Sequence, residues 1–160
     1  MRQYDQAIAT ELKCIQRQPK LFWSRVILGW AYEQKGMFPE ALAELREAVN
    51  LADGDSFTLA AYAQALAASG DRRGAAAILS QLQQRARKDY VSAYDIAMIY
   101  AGLGDKDKAF QSLQRAYSDR ASFLAYITWD RRADNLRSDP RFQVLLKKMG
   151  LPASTSSPRA

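Results

Sequence analysis

Small residues return along this chain at intervals of 34 positions. Gly36, Gly70 and Gly104 are separated by this interval, and the same interval separates Ala7, Ala41, Ala75 and Ala109. A regular period of this length indicates one structural unit repeated and stacked, because a single unit of that size cannot bury its own apolar face. We therefore expect an all-α fold, a helical solenoid.

Alignment on the glycines predicts three units of two antiparallel helices each, at 22–55, 56–89 and 90–123. In the first unit, apolar and small residues recur at helical spacing: Leu28, Gly29 and Tyr32 in the first helix, then Ala41, Leu45 and Ala48 in the second. Gly29 and Ala41 are small at the point where the two helices would cross. A larger side chain there would overpack the crossing.

The turn between the two helices of each unit has its own signals. Each of the three glycines stands where a first helix should end, a position that favours the left-handed conformation. Asp71 and Asp105 follow two of them and can accept hydrogen bonds from the free amides of the next helix, while Pro39 marks the helix start in the first unit.

This pattern resembles the tetratricopeptide repeat family. In the first unit the resemblance is carried by Leu28, Gly29, Tyr32, Gly36, Ala41, Leu45 and Ala48, and in the third by Ile96, Ala97, Tyr100, Gly104, Ala109, Leu113 and Ala116. The second unit departs from the family pattern at Tyr62, Leu66 and Leu82. The resemblance implies a right-handed α-α superhelix and a module that binds other proteins.

The two ends of the chain extend this architecture. Residues 2–18 are predicted to form the second helix of an earlier repeat that lacks its partner. We expect either that the chain is excised from a longer protein, which we favour, or that a second copy covers this helix. Downstream, 122–129 is predicted as a short apolar helix. We expect 124–150 to cap the last repeat, within one domain over 1–151 followed by a mobile tail at 152–160.

The predicted capping helix begins with Asp139 as its N-cap and Pro140 at its first helical position. Its apolar stripe consists of Phe142, Leu145, Leu146 and Met149. The stretch 96–151 is also similar to the C-terminal ends of bacterial multidomain repeat proteins, in which repeats commonly follow a DNA-binding, kinase or other signalling region. That similarity implies a bacterial regulatory or signalling parent protein.

Peptide contacts in the resembled family come mostly from the first helix of each repeat, on the concave wall of the superhelix. The matching positions imply partner-binding residues at Trp23, Val26, Trp30, Phe57, Ala60, Gln64, Tyr94 and Met98. Because this wall is mainly apolar and aromatic, we expect an apolar or helical segment as its ligand. The alternative is that Trp23 and Trp30 pack on helix 2–18, while Tyr94 and Met98 are covered by the C-terminal helix.

The composition offers little for catalysis. With no histidine and one cysteine, the chain has no Ser-His-Asp or Cys-His arrangement and no plausible set of zinc ligands. Asp53-Gly54-Asp55 and 104–107 look like calcium-loop fragments, but both lack the later glutamate, and we interpret them as helix caps. We assign no catalytic residue, no cofactor and no metal site.

Charge and hydropathy bear on other partners. The formal charge is +6, and 131–150 carries six basic and two acidic residues, so a nucleic-acid contact through this end is a lesser alternative. A solvated helix face is the simpler explanation. No apolar run is long enough to span a bilayer, and the N-terminus lacks a secretory signal, so we expect a cytoplasmic protein.

Overall fold

The computed structural model describes residues 2–152, and over that range the chain forms helices and no strand. The α-helices are α1 (Arg2–Arg17), α2 (Phe22–Gln34), α3 (Phe38–Leu51), α4 (Ser56–Ser69), α5 (Arg72–Arg85), α6 (Ala93–Gly102), α7 (Lys106–Ser118) and α8 (Pro140–Lys148). Two 3₁₀ helices, Ser122–Tyr126 and Arg131–Leu136, precede α8. Most of the predicted tail, 153–160, lies outside the described residues.

The chain divides between Val91 and Ser92 into two compact units. In the first unit each helix packs on the next, from α1 through to α5. In the second, α6 packs on α7, and the 3₁₀ helices and α8 pack against this pair. The consecutive helix hairpins confirm the predicted helical-repeat fold, whereas the assignment of 1–151 to one domain stays a prediction.

The predicted turn chemistry is confirmed at each hairpin. Gly36, Gly70 and Gly104 have φ of 72°, 97° and 77°, in the left-handed region where a Cβ would be strained. The carboxylates of Asp71 and Asp105 accept hydrogen bonds from backbone amides three residues later, at 2.9 and 3.1 Å. Local sequence therefore sets both the end of one helix and the start of the next.

The close approach of α2 and α3 explains the glycine at position 29. A Cβ added to Gly29 would lie 2.6 Å from Cγ of Leu45, whose side chain is fully buried on α3. Ala41 and Ala48 are also fully buried on the same helix face. The small residues at this crossing thus let α3 place Leu45 directly against the backbone of α2.

The segment after α7 differs from its prediction. Residues 122–129 were expected to form a short helix, and the structure has a 3₁₀ helix over Ser122–Tyr126. Leu124 and Ile127 are both buried and stand three residues apart, a spacing that matches the three residues per turn of a 3₁₀ helix. This tighter winding directs both side chains into the core of the second unit.

The predicted capping helix is confirmed as α8. The side chain of Asp139 accepts a hydrogen bond from the Arg141 amide at 3.0 Å, and Pro140 occupies the first turn. Phe142, Leu145 and Leu146 are buried. They share one core with residues of α6 and α7, so α8 covers the apolar surface of the last repeat.

Candidate partner-binding surface

One face of α2 presents large apolar side chains to solvent. Trp23, Ile27 and Trp30 are spaced at i, i+4 and i+7, which places them on the same side of the helix. Trp23 and Ile27 are each 38% exposed, and Trp30 is half-buried. Solvent-facing tryptophan and isoleucine in a row of this kind indicate a contact surface.

Phe57 on α4 extends this face to the neighbouring helix. Its ring centroid lies 4.8 Å from that of Trp23, in a tilted arrangement, and 6.1 Å from that of Trp30, edge to face. The N-cap residue Asp55 fixes Phe57 in place, because its carboxylate accepts a hydrogen bond from the Phe57 amide at 2.7 Å. We call Trp23, Ile27, Trp30 and Phe57 the aromatic patch.

A polar pair also joins α2 to α4. The side-chain amide of Gln64 donates a hydrogen bond to Oε1 of Glu33 at 2.9 Å. Gln64 is only 3% exposed, so this bond lies away from solvent and is correspondingly strengthened. The pair holds α2 and α4 in register and so holds the two helices that carry the aromatic patch.

The other sequence-predicted residues of the first unit are buried. Val26 is fully buried and packs in a core with Leu45 and Ala48, and Ala60 is 2% exposed. Gln64 is buried as well. Of the residues predicted in this unit, Trp23, Trp30 and Phe57 therefore keep exposed surface. The second unit differs more strongly.

Tyr94 and Met98, the predicted residues of the second unit, have no exposed surface. Both are fully buried in the core that contains Leu136 and Phe142. The second 3₁₀ helix packs on α6, and the side-chain amide of Asn135 donates to the Ala101 carbonyl at 2.7 Å. The second 3₁₀ helix therefore covers this face of α6, a role that the alternative interpretation of the sequence gave to the C-terminal helix.

A network of charged side chains and a tyrosine hydroxyl holds the second 3₁₀ helix against α6. The Tyr94 hydroxyl donates to Oδ2 of Asp130 at 2.6 Å, and the guanidinium of Arg132 donates to both carboxylate oxygens at 2.7 to 3.1 Å. Only 9% of the Arg132 side chain and 14% of the Asp130 side chain are exposed. The network is thus a largely buried ion pair with a buried tyrosine hydroxyl as an additional donor.

The pKa shifts in this network agree with its geometry. Burial by itself would raise the pKa of Asp130, but the hydrogen bonds and charge of Arg132, together with the Tyr94 hydroxyl, outweigh it and lower the pKa. Burial, followed by the charge of Asp130, raises the pKa of Tyr94. At neutral pH the carboxylate is therefore ionised and the hydroxyl is protonated, as the hydrogen bonds require.

Over residues 131–150, four of the six basic side chains form ion pairs with carboxylates of the same unit. Arg131 and Arg137 pair with Asp134, Arg132 pairs with Asp130, and Arg141 pairs with Asp107 and Asp139. The hydrogen bonds from Arg141 lower the pKa of Asp139 to about 2. These pairs disfavour the nucleic-acid alternative, since guanidinium groups already neutralised would gain less from phosphate.

The aromatic patch consists of apolar side chains. Within residues 2–152 no group of three or more acidic or cysteine side chains is arranged to hold a metal ion. The patch instead combines three aromatic rings with one aliphatic side chain, and tryptophan, present twice, is among the residue types that contribute most at protein interfaces. Sequence reasoning missed Ile27, although its helical spacing between the two tryptophans signals a place on the same face.

The comparisons with known proteins identify the repeats. Residues 24–55 and 90–118 match the tetratricopeptide repeat, and these segments cover the first and third predicted units. The chain is thus a helical-repeat protein of the binding-scaffold class. Two of its segments match the tetratricopeptide repeat, and repeats of this family generally mediate protein–protein interaction.

No curated protein and no solved structure matches the chain. Among the helices over residues 2–152, none is both long and apolar enough to cross a membrane. The family is typically a non-catalytic scaffold.

Proposed function

We propose that this protein is a non-catalytic interaction module that takes an apolar or helical segment of a partner protein on the aromatic patch. The observation that carries the proposal is the ring contact between exposed Trp23 and half-buried Phe57, on two helices held in register by the Glu33–Gln64 hydrogen bond. A patch fixed in this way loses little conformational freedom on binding. Ile27 adds aliphatic surface beside the rings.

The binding site in this proposal is confined to the first unit. The predicted wall also included Tyr94 and Met98, but both are fully buried in the second unit. A partner segment that needs only Trp23, Trp30 and Phe57 can bind without opening that core. An amphipathic helix satisfies this requirement, because its apolar side chains recur on one face at the spacing of the patch.

The test of the patch is a peptide array of amphipathic helical peptides that differ in their apolar face. We expect Trp23→Ala to weaken the peptides that bind by about thirtyfold, since hot-spot aromatic residues contribute about 2 kcal/mol or more. Tyr90→Ala is the matched control, because Tyr90 is 70% exposed in the same unit and stands outside the patch. Binding that survives Trp23→Ala and Phe57→Ala unchanged contradicts the proposal.

We also propose that this module belongs to a larger bacterial regulatory or signalling protein. The support is the resemblance of 96–151 to the C-terminal ends of such proteins, together with the matched repeat at 90–118. Reading the full open reading frame tests this proposal directly. A flanking DNA-binding, kinase or cyclase domain supports it, and a frame without any regulatory domain contradicts it.

Self-association through α1 is a second candidate function, favoured by the exposure of this helix. None of its described side chains is buried, and Leu12 is 41% exposed. Ile8 and Ile15 are half-buried on the same helix and lie within one turn of Leu12. A second copy would cover apolar surface that α2 alone leaves open.

Light scattering coupled to size-exclusion chromatography tests this second function. If α1 forms the contact, the wild type is a dimer and Leu12→Glu is a monomer, because a charge on the apolar face stays exposed only in the free chain. Lys13→Glu changes the charge at a neighbouring exposed position and is expected to leave the dimer intact. A wild type that is monomeric at all concentrations excludes the contact.

A further inference from the structure

A cleft on the second unit lies between α7 and α8. Its volume is about 80 Å³, and its lining includes the exposed Gln114 and the buried side chains of Phe110, Leu113 and Leu145. Val144 stands at its edge and is 56% exposed, although the neighbouring Leu145 is buried. Since a water molecule occupies about 30 Å³ of liquid, the cleft has room for one aliphatic side chain.

The two ends of the cleft differ in charge. At one end the guanidinium of Arg141 lies 4.4 Å above the centre of the Phe110 ring and pairs with Asp107 at 2.7 Å and with Asp139 at 2.8 Å. Its charge is therefore largely neutralised. Lys148 lines the other end, and in the described part of the chain no carboxylate forms an ion pair with it.

A second lysine lies next to Lys148 in the chain. Lys147 is exposed on α8 and, over residues 2–152, also has no carboxylate within ion-pair distance. The C-terminal end of α8 thus carries two lysines beside an apolar cleft whose arginine is already paired. Charge complementarity at this edge favours an acidic occupant over a basic one.

We propose that this cleft binds an acidic segment of a partner protein, which inserts one aliphatic side chain between α7 and α8 and pairs a carboxylate with Lys148. The exposed side chain of Val144 extends the apolar contact beyond the cleft. A nucleic acid fits less well, because the buried side chains of the lining are aliphatic and aromatic, and most of the arginines nearby are bound to carboxylates. This site is independent of the aromatic patch.

Backbone amide NMR of the full chain tests the proposal with a synthetic amphipathic helical peptide of Leu, Ala and Glu. We expect shifts at Leu113, Val144 and Lys148 that saturate with added peptide. Lys148→Glu should lower the affinity for this peptide about tenfold, because the new carboxylate at the edge of the cleft repels the glutamates of the peptide. The same variant should raise the affinity for the matching peptide in which every Glu is replaced by Lys.

Lys88→Glu is the matched control, since it makes the same change of charge at an exposed position of the first unit. It should leave binding of both peptides at the cleft unchanged. Three results overturn the proposal: no shift at Val144 at millimolar peptide, equal shifts with the Glu and the Lys peptides, or shifts there only with single-stranded DNA. Retained binding in Trp23→Ala shows that the cleft and the aromatic patch act separately.

Discussion

Replacing Phe142 by alanine should lower the free energy of unfolding of the second unit by about 3–5 kcal/mol, because it removes a buried aromatic ring and leaves a cavity. The side chain is fully buried in the core that also contains Tyr94 and Leu146. Arg137 covers one face of the ring, with its guanidinium carbon 5.5 Å from the ring centre. Urea denaturation followed by circular dichroism measures this loss.

Val144→Ala is the matched control on the same helix, and its effect should stay within about 0.5 kcal/mol because Val144 is exposed. Hydrogen exchange locates the change: Phe142→Ala should lower the protection of amides in α6 and α7. An unfolding free energy within 1 kcal/mol of the wild type for Phe142→Ala would mean that α8 does not cap the repeat.

Replacing Asp130 by alanine should lower the unfolding free energy by about 3 kcal/mol, since it removes a carboxylate that is hydrogen-bonded to a buried guanidinium. Arg132 and the Tyr94 hydroxyl each lose a short hydrogen bond to this carboxylate, at 2.7 and 2.6 Å. Asp134→Ala removes a carboxylate that also pairs with arginine but is 46% exposed. That control should lower the unfolding free energy by less than about 1 kcal/mol.

The difference in unfolding free energy between the wild type and Asp130→Ala should also depend on pH. The folded-state pKa of Asp130 lies below the ordinary value of 3.8, so its contribution is complete above that pH and is lost as the pH falls through the folded-state pKa. The difference in unfolding free energy between the wild type and Asp130→Ala should therefore be constant near neutral pH and should become smaller in acid. A gap that persists in strong acid would show that the ionised carboxylate is not its cause.

The hairpins could be predicted from the sequence because their signals are local. The left-handed glycines and the caps at Asp71, Asp105 and Asp139 act within a few residues of their own helix ends. Gly29 is predictable for the same reason, since its small size is required by the next helix of its own hairpin. The two segments that match the tetratricopeptide repeat confirm the prediction of repeated helix hairpins.

The candidate surface could be predicted only in part. The repeat positions led to Trp23, Trp30 and Phe57 as partner-binding residues, which stays a prediction. All three keep exposed apolar surface on a face of α2 and α4 that follows from helical periodicity. The same positions in the third unit lead to Tyr94 and Met98, which are buried. No local signal distinguishes the two cases, since the residues that cover α6 lie more than thirty positions later in the chain.

The sequence by itself determined the period, the helix ends and the small residues at the crossing of α2 and α3, since each depends on neighbours within one hairpin. Tertiary structure alone decided which apolar faces remain open to a partner. Tyr94 is closed by Asp130 and the 3₁₀ segment that follows it, while Trp23 keeps its exposed surface. Burial depends on which distant segment packs on a face, and helical periodicity carries no information about that choice.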